Sequence, residues 1–273
     1  MRKTKSILFV LLLLIAFSVR AGVVDTIKVY SPSMKKDIQV VVVIPEKSKT
    51  PVPVVYLLHG HGGNAKTWVT IRPDLPQLAD QYGIMFVCPD GNRNSWYWDS
   101  PKDPSLRYET FVSGELIKYI DSHYSTIDDR SARAITGLSM GGHGAMWLSL
   151  RHKDVFGAAG STSGGLDIRP FPNNWEMAEK LGTESENREI WEAHTAINQI
   201  DRLRSGDLAL IFDCGYDDFF FEVNNDFHKK LLKYKIGHDF IVRPGGHTNE
   251  YWKNAIGYQI LFFKNFFDRN KKK

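Results

Sequence analysis

The stretch Arg133-Ala134-Ile135-Thr136-Gly137-Leu138-Ser139-Met140-Gly141-Gly142-His143-Gly144 decides the fold prediction for this chain. Residues 133–136 are typical of the end of a buried strand, and residues 142–150 are typical of a helix. A serine at a sharp turn from strand to helix points outward, and the small residues beside it let the backbone turn. The helix behind the turn offers unpaired N–H groups to an anion. We therefore predict that Ser139 is the nucleophile of a serine esterase; the alternative is an ordinary glycine-rich turn.

Strands and helices alternate along most of the rest of the chain. Residues 52–58 form a solid apolar run, typical of a buried parallel strand, and residues 25–34 and 37–44 predict an antiparallel hairpin. The other predicted strands are 84–88, 155–161, 208–213 and 239–243, and the other predicted helices are 75–82, 108–123, 222–234 and 248–268. A long loop is predicted at 92–106, and an irregular, partly helical insertion at 162–205. This order predicts an α/β fold, with a mostly parallel central sheet and helices on both faces.

The first 21 residues are typical of a secretory signal peptide. A basic start, Met1-Arg2-Lys3-Thr4-Lys5, precedes an apolar run at residues 7–19, and Val19-Arg20-Ala21 supplies small residues before a cleavage site. The apolar run is shorter than the roughly 20 residues that span a bilayer, so cleavage after Ala21 is favoured over a membrane anchor. We therefore expect residues 22–273 to form one exported domain, periplasmic or secreted, with no stable membrane span.

The net charge of +4 comes from this N-terminal segment. The chain has 35 Lys and Arg against 31 Asp and Glu, and residues 1–21 contain four of the basic residues and none of the acidic ones. The rest of the chain therefore carries 31 basic and 31 acidic side chains. Because that balance is neutral, there is no electrostatic case for nucleic acid as a partner.

A serine hydroxyl is a weak nucleophile, so it needs a histidine base that a carboxylate orients. His247 is the best candidate because Pro244-Gly245-Gly246-His247 follows the last predicted strand, and loops at the carboxyl ends of parallel strands form the sites of such sheets. His228 and His238 lie on the wrong side, on a helix and before a strand. His143, on the helix after the predicted nucleophile, is expected to pack or to support the site.

Three carboxylates are candidates for the residue that orients this histidine. They lie in Ile211-Phe212-Asp213-Cys214-Gly215-Tyr216-Asp217-Asp218. Asp213 still belongs to the predicted strand, whereas Asp217 and Asp218 lie in the turn beyond it, where a carboxylate can reach a histidine of the next loop. The residues alone do not separate Asp217 from Asp218.

Acyl transfer through a tetrahedral intermediate also needs two N–H donors aimed at the developing oxyanion. One candidate is the backbone N–H of Met140, directly after the nucleophile. The other is the backbone of His61, in the loop His59-Gly60-His61-Gly62-Gly63 that follows the strand at 52–58. Metal binding by His59 and His61 is disfavoured, because two histidines are too few ligands and no nearby Cys or acid completes the set. The predicted chemistry therefore needs no metal or organic cofactor.

Taken together, these segments resemble the esterase D-like family of α/β hydrolases. The resemblance rests on Leu57-Leu58-His59-Gly60-His61-Gly62-Gly63, Gly137-Leu138-Ser139-Met140-Gly141-Gly142, Cys214-Gly215-Tyr216-Asp217-Asp218-Phe219 and Pro244-Gly245-Gly246-His247. It covers essentially all of residues 22–273. The family includes S-formylglutathione hydrolase, tributyrin esterase, the feruloyl and acetyl-xylan esterases of carbohydrate esterase family 1, and the mycolyltransferases.

The resemblance implies the α/β-hydrolase fold and assigns a role to each candidate residue. The family's acid lies three residues after the glycine of the Cys-Gly turn, which favours Asp218 in a triad with Ser139 and His247. The backbones of His61 and Met140 are implied as the oxyanion hole. Formylglutathione hydrolases are typically cytosolic, so the export signal favours an extracytoplasmic ester, and mycolyl transfer is disfavoured because no long acyl-chain channel is indicated.

The fold also bears on the two cysteines, Cys88 and Cys214, which end two predicted strands. In an α/β-hydrolase sheet these strands would lie four positions apart, about 19 Å at the usual strand spacing. A disulfide needs Cα atoms within about 7 Å of each other. We therefore predict two free, buried thiols.

Aromatic residues near the predicted site bear on the substrate. Trp96 and Trp98 follow the end of a strand, and Trp68 follows the His-Gly loop. Because aromatic faces stack on sugar rings and cinnamoyl groups, these three indoles are predicted to contact substrate; the alternative is that they pack the insertion at 162–205 onto the body. Resemblance to the exported family 1 enzymes favours acetyl or feruloyl esters of plant polysaccharide.

Other functions remain as alternatives. They are a small-acyl esterase or a thioesterase similar to S-formylglutathione hydrolase, an exported peptidase with the same triad, and a non-catalytic binding protein on a hydrolase fold. The presence of Ser, Asp and His candidates in the expected order argues against the last. The sequence does not indicate an oligomeric state.

Overall fold

A computed structural model describes residues 22–46 and 50–271. The predicted signal peptide, at residues 1–21, lies outside the described residues. Within the described ranges, every helix is too short or too polar to cross a membrane.

A central sheet organises the described residues. Its strands are β1 (Val23–Ser31), β2 (Lys36–Ile44), β3 (Val54–Leu58), β4 (Met85–Pro89), β5 (Arg133–Gly137), β6 (Ala158–Thr162), β7 (Ala209–Gly215) and β8 (Asp239–Arg243). They lie in the order β1-β2-β4-β3-β5-β6-β7-β8. The pairs β1–β2 and β2–β4 are antiparallel, and every other neighbouring pair is parallel. The predicted α/β fold with a mostly parallel sheet is confirmed.

The helices are α1 (Thr67–Ile71), α2 (Leu75–Tyr82), α3 (Tyr108–Thr110), α4 (Leu116–His123), α5 (Met140–Arg151), α6 (Met177–Leu181), α7 (Arg188–Ala193), α8 (Phe221–Lys233) and α9 (Asn249–Asn270). The prediction of one α-helix at 108–123 is wrong in its middle, where Phe111–Glu115 form a π-helical turn. Such a turn widens the helix by about one residue per turn. Its last residue, Glu115, accepts hydrogen bonds from Ser31 Oγ and Ser33 N–H of the hairpin.

Helices cover both faces of the sheet because successive strand residues point to opposite sides. On β3, the side chains of Tyr56 and Leu58 belong to one hydrophobic cluster, and those of Val55 and Leu57 belong to another. The first cluster includes α4, α5 and α8, and the second includes α1, α2 and α9. Each fully buried large apolar side chain contributes roughly 1.5–3 kcal/mol, so the sheet is held on both faces.

The parallel strands bring four loops to one edge of the sheet. Leu58 at the end of β3 pairs with Gly137 at the end of β5, and Gly215 of β7 pairs with Arg243 of β8. The loops that follow these strands therefore meet at their carboxyl ends, where sheets of this kind place their sites. Cys88 on β4 and Cys214 on β7 are buried and free, on strands four positions apart.

Candidate active site

Ser139 sits on a strained turn between β5 and α5. Its φ of 55° is unusual for a residue with a side chain, and such a conformation costs about 1–3 kcal/mol. The turn is held by hydrogen bonds from Ser139 N–H to Thr162 O, at 3.0 Å, and from Leu138 N–H to Leu58 O, at 3.2 Å. A Cβ at Gly141 would overlap Leu58 O and lie 2.6 Å from His59 O. The helix can therefore approach β3 this closely only with glycine at position 141.

A continuous hydrogen-bonded chain joins Ser139, His247 and Asp218. His247 Nε2 lies 2.9 Å from Ser139 Oγ, and His247 Nδ1 lies 2.9 and 3.1 Å from the two carboxylate oxygens of Asp218. The Asp218 side chain is fully buried, and its Oδ1 also accepts a hydrogen bond from Phe220 N–H. With Nδ1–H donating to Asp218, Nε2 is free to accept the serine proton. This is the geometry that activates a serine for attack.

Main-chain contacts between two loops hold Asp218 against His247. Tyr216 N–H donates to Arg243 O, and Asp217 N–H donates to Gly245 O. A Cβ at Gly215 would overlap the Gly245 carbonyl, so this close approach requires glycine there. Asp217 is exposed in this turn, whereas Asp218 is buried.

Asp213 is engaged elsewhere. Its Oδ2 accepts a hydrogen bond of 2.7 Å from Gln259 Nε2, and its Oδ1 lies 3.6 Å from the guanidinium of Arg243. Complete burial raises the pKa of Asp213 to about 7, against the lowering effects of Gln259 and Arg243. Of the three candidate acids, only Asp218 lies within hydrogen-bond distance of His247.

Of the two predicted oxyanion donors, Met140 directly follows Ser139, and His61 lines the same cavity as Ser139. The N–H groups of Met140 and His61 donate no hydrogen bond to the residues that the structure describes, which leaves them available to an anion. The His61 loop is held by bonds from Gly62 N–H to Arg93 O and from Gly63 N–H to Gly60 O.

Both histidines of this loop take part in hydrogen bonds with other loops of the protein. His59 Nδ1–H donates to Gly60 O, and His59 Nε2 accepts from Gly91 N–H, so both ring nitrogens are occupied. His61 Nε2 lies 2.7 Å from Glu176 Oε2. Over residues 22–46 and 50–271, no group of three or more His, Cys, Asp or Glu residues is placed to hold a metal ion.

His143 of α5 links this helix to two neighbouring loops. It is completely buried, its Nε2 accepts a hydrogen bond from Trp98 Nε1–H at 3.0 Å, and its Nδ1–H donates to Gly165 O at 2.8 Å. Burial lowers the pKa of His143 to about 4. A neutral imidazole therefore fixes the position of the loop at 96–98 relative to α5.

A cavity of about 490 Å³ opens beside the hydrogen-bonded chain. Three aromatic side chains, Trp175, Phe219 and Trp252, form much of its wall. The Phe219 ring centroid lies 4.3 Å from that of His247, and the Trp252 ring meets His247 edge-on at 4.9 Å. The complete lining is Gly60, His61, Gly62, Gly63, Thr67, Leu138, Ser139, Trp175, Phe219, His247, Asn249 and Trp252.

The prediction that Trp68, Trp96 and Trp98 contact substrate is wrong. All three are at most 1 % exposed and none lines the cavity. Trp68 Nε1–H donates to Leu58 O, and Trp96 stacks on Trp98 with ring centroids 5.6 Å apart. Trp96 contacts Trp175 and Trp98 contacts His194, both of the insertion, so these two indoles pack the insertion onto the body, the alternative role considered for them, whereas Trp68 packs in the cluster on the other face of the sheet.

Sequence reasoning missed the aromatic residues that do line the cavity. Phe219 directly follows Asp218, which is a signal that could have been used. Trp175 lies in the insertion, where no periodic pattern predicts which side chains face the site. Trp252 lies on the first turns of α9, the helix that follows His247.

Comparisons with known proteins place the chain in a family. The family described as "Putative esterase" matches residues 31–262. The chain is 23% identical over 254 residues to the acetyl esterase of Caldicellulosiruptor saccharolyticus, covering 84% of this chain and 94% of that protein. It is 34% identical over 157 residues to the MPT51/MPB51 antigen of Mycobacterium tuberculosis, covering 57% of this chain but only 48% of that protein.

A solved structure of a ferulic acid esterase shares the fold. It is 28% identical to this chain with a TM-score of 0.77, and the match covers 90% of this chain and all of that one. The chain therefore belongs to the "Putative esterase" family, whose model spans most of its length. The family and these relatives support a carboxylic ester hydrolase with the α/β-hydrolase fold, and the resemblance inferred from the motifs is confirmed.

Proposed function

We propose that this protein is an exported serine esterase in which Ser139 is the nucleophile, His247 the general base and Asp218 the orienting acid. The observation that carries this proposal is the continuous hydrogen-bonded chain from Ser139 Oγ through His247 to the buried carboxylate of Asp218. Export follows from the predicted signal peptide at residues 1–21. The hydrogen-bond distances along this chain support these assignments.

The reaction proceeds in two steps. His247 Nε2 accepts the proton of Ser139 as Oγ attacks the ester carbonyl, and the tetrahedral oxyanion is bound by the N–H groups of Met140 and His61. The C–O bond to the alcohol then breaks, and the alcohol leaves with the proton from His247. Water repeats the sequence on the acyl-enzyme and releases the acid, while Asp218 stabilises the charged imidazole.

The aromatic cavity supports an ester with a compact acyl group. Its volume of about 490 Å³ lies within the usual range for small-molecule sites. The indole of Trp175 and the ring of Phe219 offer flat apolar faces that suit a planar acyl group such as feruloyl. Relatives named as acetyl esterase and ferulic acid esterase point in the same direction. We propose acetyl or feruloyl esters of plant polysaccharide as substrates.

A panel of substrates tests this proposal. The mature protein is assayed with p-nitrophenyl acetate, methyl ferulate, a small-acyl glutathione thioester and a short peptide amide. Hydrolysis of either oxygen ester with higher kcat/KM than the thioester and the peptide supports the proposal. Preference for the thioester or the peptide would favour one of those alternative activities, and binding of esters without turnover would favour a non-catalytic protein.

A further inference from the structure

Glu176 connects the insertion to the loop that carries an oxyanion donor. Its Oε2 accepts a hydrogen bond of 2.7 Å from His61 Nε2–H and one of 3.3 Å from Asn94 Nδ2–H. Its Oε1 lies 3.7 Å from the Arg93 guanidinium. The hydrogen bond to His61 lowers the pKa of Glu176, so the carboxylate is charged at neutral pH. One side chain of the insertion therefore contacts both the loop that contains His61 and the loop that contains Arg93 and Asn94.

The residue before it, Trp175, forms part of the cavity wall. Its indole stacks on Phe219 with centroids 5.8 Å apart and planes 25° from parallel, and Phe219 in turn contacts His247. Trp175 and Glu176 have φ values of 51° and 53°, a left-handed conformation that is unfavourable for residues with side chains. Two such residues in succession persist only where the surroundings hold them. Here the contact with Phe219 holds Trp175, and the hydrogen bond with His61 holds Glu176.

The oxyanion loop needs such a support because its own backbone is permissive. His61 lies between Gly60 and Gly62, and Gly62 has a φ of 75°. Glycines on both sides leave the His61 peptide free to rotate unless other contacts restrain it. The bond from Gly62 N–H to Arg93 O restrains one side. The His61 side chain, bound to Glu176, restrains the other.

We propose that Glu176 is a positioning residue for the esterase reaction: through His61 it orients the oxyanion-hole peptide, and through the strained link to Trp175 it sets the aromatic wall beside His247. This inference rests on the proposed function. Glu176 does not line the cavity and touches no reacting atom. Because the side chains of Glu176 and His61 are 36% and 20% exposed, the hydrogen bond between them adds little to stability. We therefore expect this contact to affect the positions of the His61 peptide and the Trp175 ring rather than the stability of the protein.

Variants of Glu176 test the proposal on p-nitrophenyl acetate and methyl ferulate. Glu176→Ala is expected to lower kcat/KM by about 10- to 100-fold, mainly in kcat, because a displacement of about 1 Å in a catalytic group has effects of this size. Glu176→Gln keeps an oxygen that accepts the His61 hydrogen bond and is expected to recover most of the loss. Glu179→Ala removes an exposed carboxylate from the same segment and is the matched control.

A double-variant cycle separates positioning from a general structural role. If Glu176 acts through His61, the loss in the double variant Glu176→Ala/His61→Ala is no greater than the loss in the more impaired of the two single variants. Trp175→Ala is expected to change the ratio of feruloyl to acetyl turnover, and Glu176→Ala should shift that ratio in the same direction. Independent, multiplicative losses, or a Glu176→Ala enzyme that matches Glu179→Ala in kcat/KM, would overturn the proposal.

A fluorophosphonate probe keeps this test separate from the proposed function. The probe phosphonylates a nucleophilic serine with loss of fluoride and needs no natural ester, but its reaction still develops negative charge in the oxyanion hole. If the wild type hydrolyses neither ester yet is labelled, the proposed substrates fail while slower labelling of Glu176→Ala still supports the positioning role. Equal labelling rates of the two proteins would overturn that role, and an unlabelled wild type would overturn both.

Discussion

Replacing Asp218 by Asn should abolish most activity through the tautomer of His247. Phe220 N–H donates to Asp218 Oδ1, so the carbonyl oxygen of an asparagine will occupy that position. The amide nitrogen then takes the place of Oδ2, which lies 2.9 Å from His247 Nδ1, and donates to it. With its proton moved to Nε2, His247 can no longer accept the proton of Ser139. A wrong tautomer of this kind in a serine triad costs about 10⁴-fold in kcat, equivalent to about 5.5 kcal/mol in the barrier.

The assay compares Asp218→Asn with Asp217→Asn on p-nitrophenyl acetate. Asp217 is the adjacent carboxylate with an exposed side chain, so its variant should stay within about twofold of the wild type in kcat/KM. Thermal unfolding and circular dichroism establish that both variants are folded. An Asp218→Asn enzyme that keeps a tenth or more of the wild-type activity, or an equal loss in Asp217→Asn, would refute the reasoning.

Two further variants test the packing around the site. Gly141→Ala places a methyl group against Leu58 O and should lower the free energy of unfolding by at least about 3 kcal/mol, because the backbone cannot move aside as a side chain can. Urea unfolding measures this loss. A loss below about 1 kcal/mol would contradict the close approach of α5 to β3. Asp213, with its pKa raised to about 7 by burial, contributes stability that is complete at pH below about 4 and is lost as the pH rises through about 7. The Asn side chain of Asp213→Asn does not ionise, and its amide oxygen accepts the Gln259 hydrogen bond. Between pH 4 and 8 the wild type should therefore lose on the order of 4 kcal/mol of unfolding free energy relative to this variant. A difference between the two proteins that stays constant with pH would contradict a protonated Asp213.

The fold was predictable because its signals are local. Alternation of apolar strands with amphipathic helices, the turn at Ser139 and the order of motifs all arise from short stretches of sequence. His247 was predictable from its place after the last strand. The residues alone left Asp217 and Asp218 open, because the contact between the loops after β7 and β8, where Asp218 is buried against His247 and Asp217 is exposed, joins segments far apart in the sequence.

The walls of the cavity were not predictable from such signals. Trp96 and Trp98 lie in a loop near the site, yet their indoles are buried beneath the insertion. Trp175 lines the cavity because two successive left-handed residues turn the chain there, and no local pattern indicates that conformation. Long-range packing between a loop and an insertion thus decided which aromatic residues face the cavity.

The nucleophile is tested most directly by the mature wild type and its Ser139→Ala variant on p-nitrophenyl acetate and methyl ferulate. Loss of a triad member leaves only the contribution of the oxyanion hole and substrate binding, so turnover should fall by at least about 10³-fold while the variant remains folded. A folded variant that keeps turnover within about tenfold of the wild type would contradict Ser139 as the nucleophile. Absence of turnover by the folded wild type on both esters would contradict the proposed activity itself.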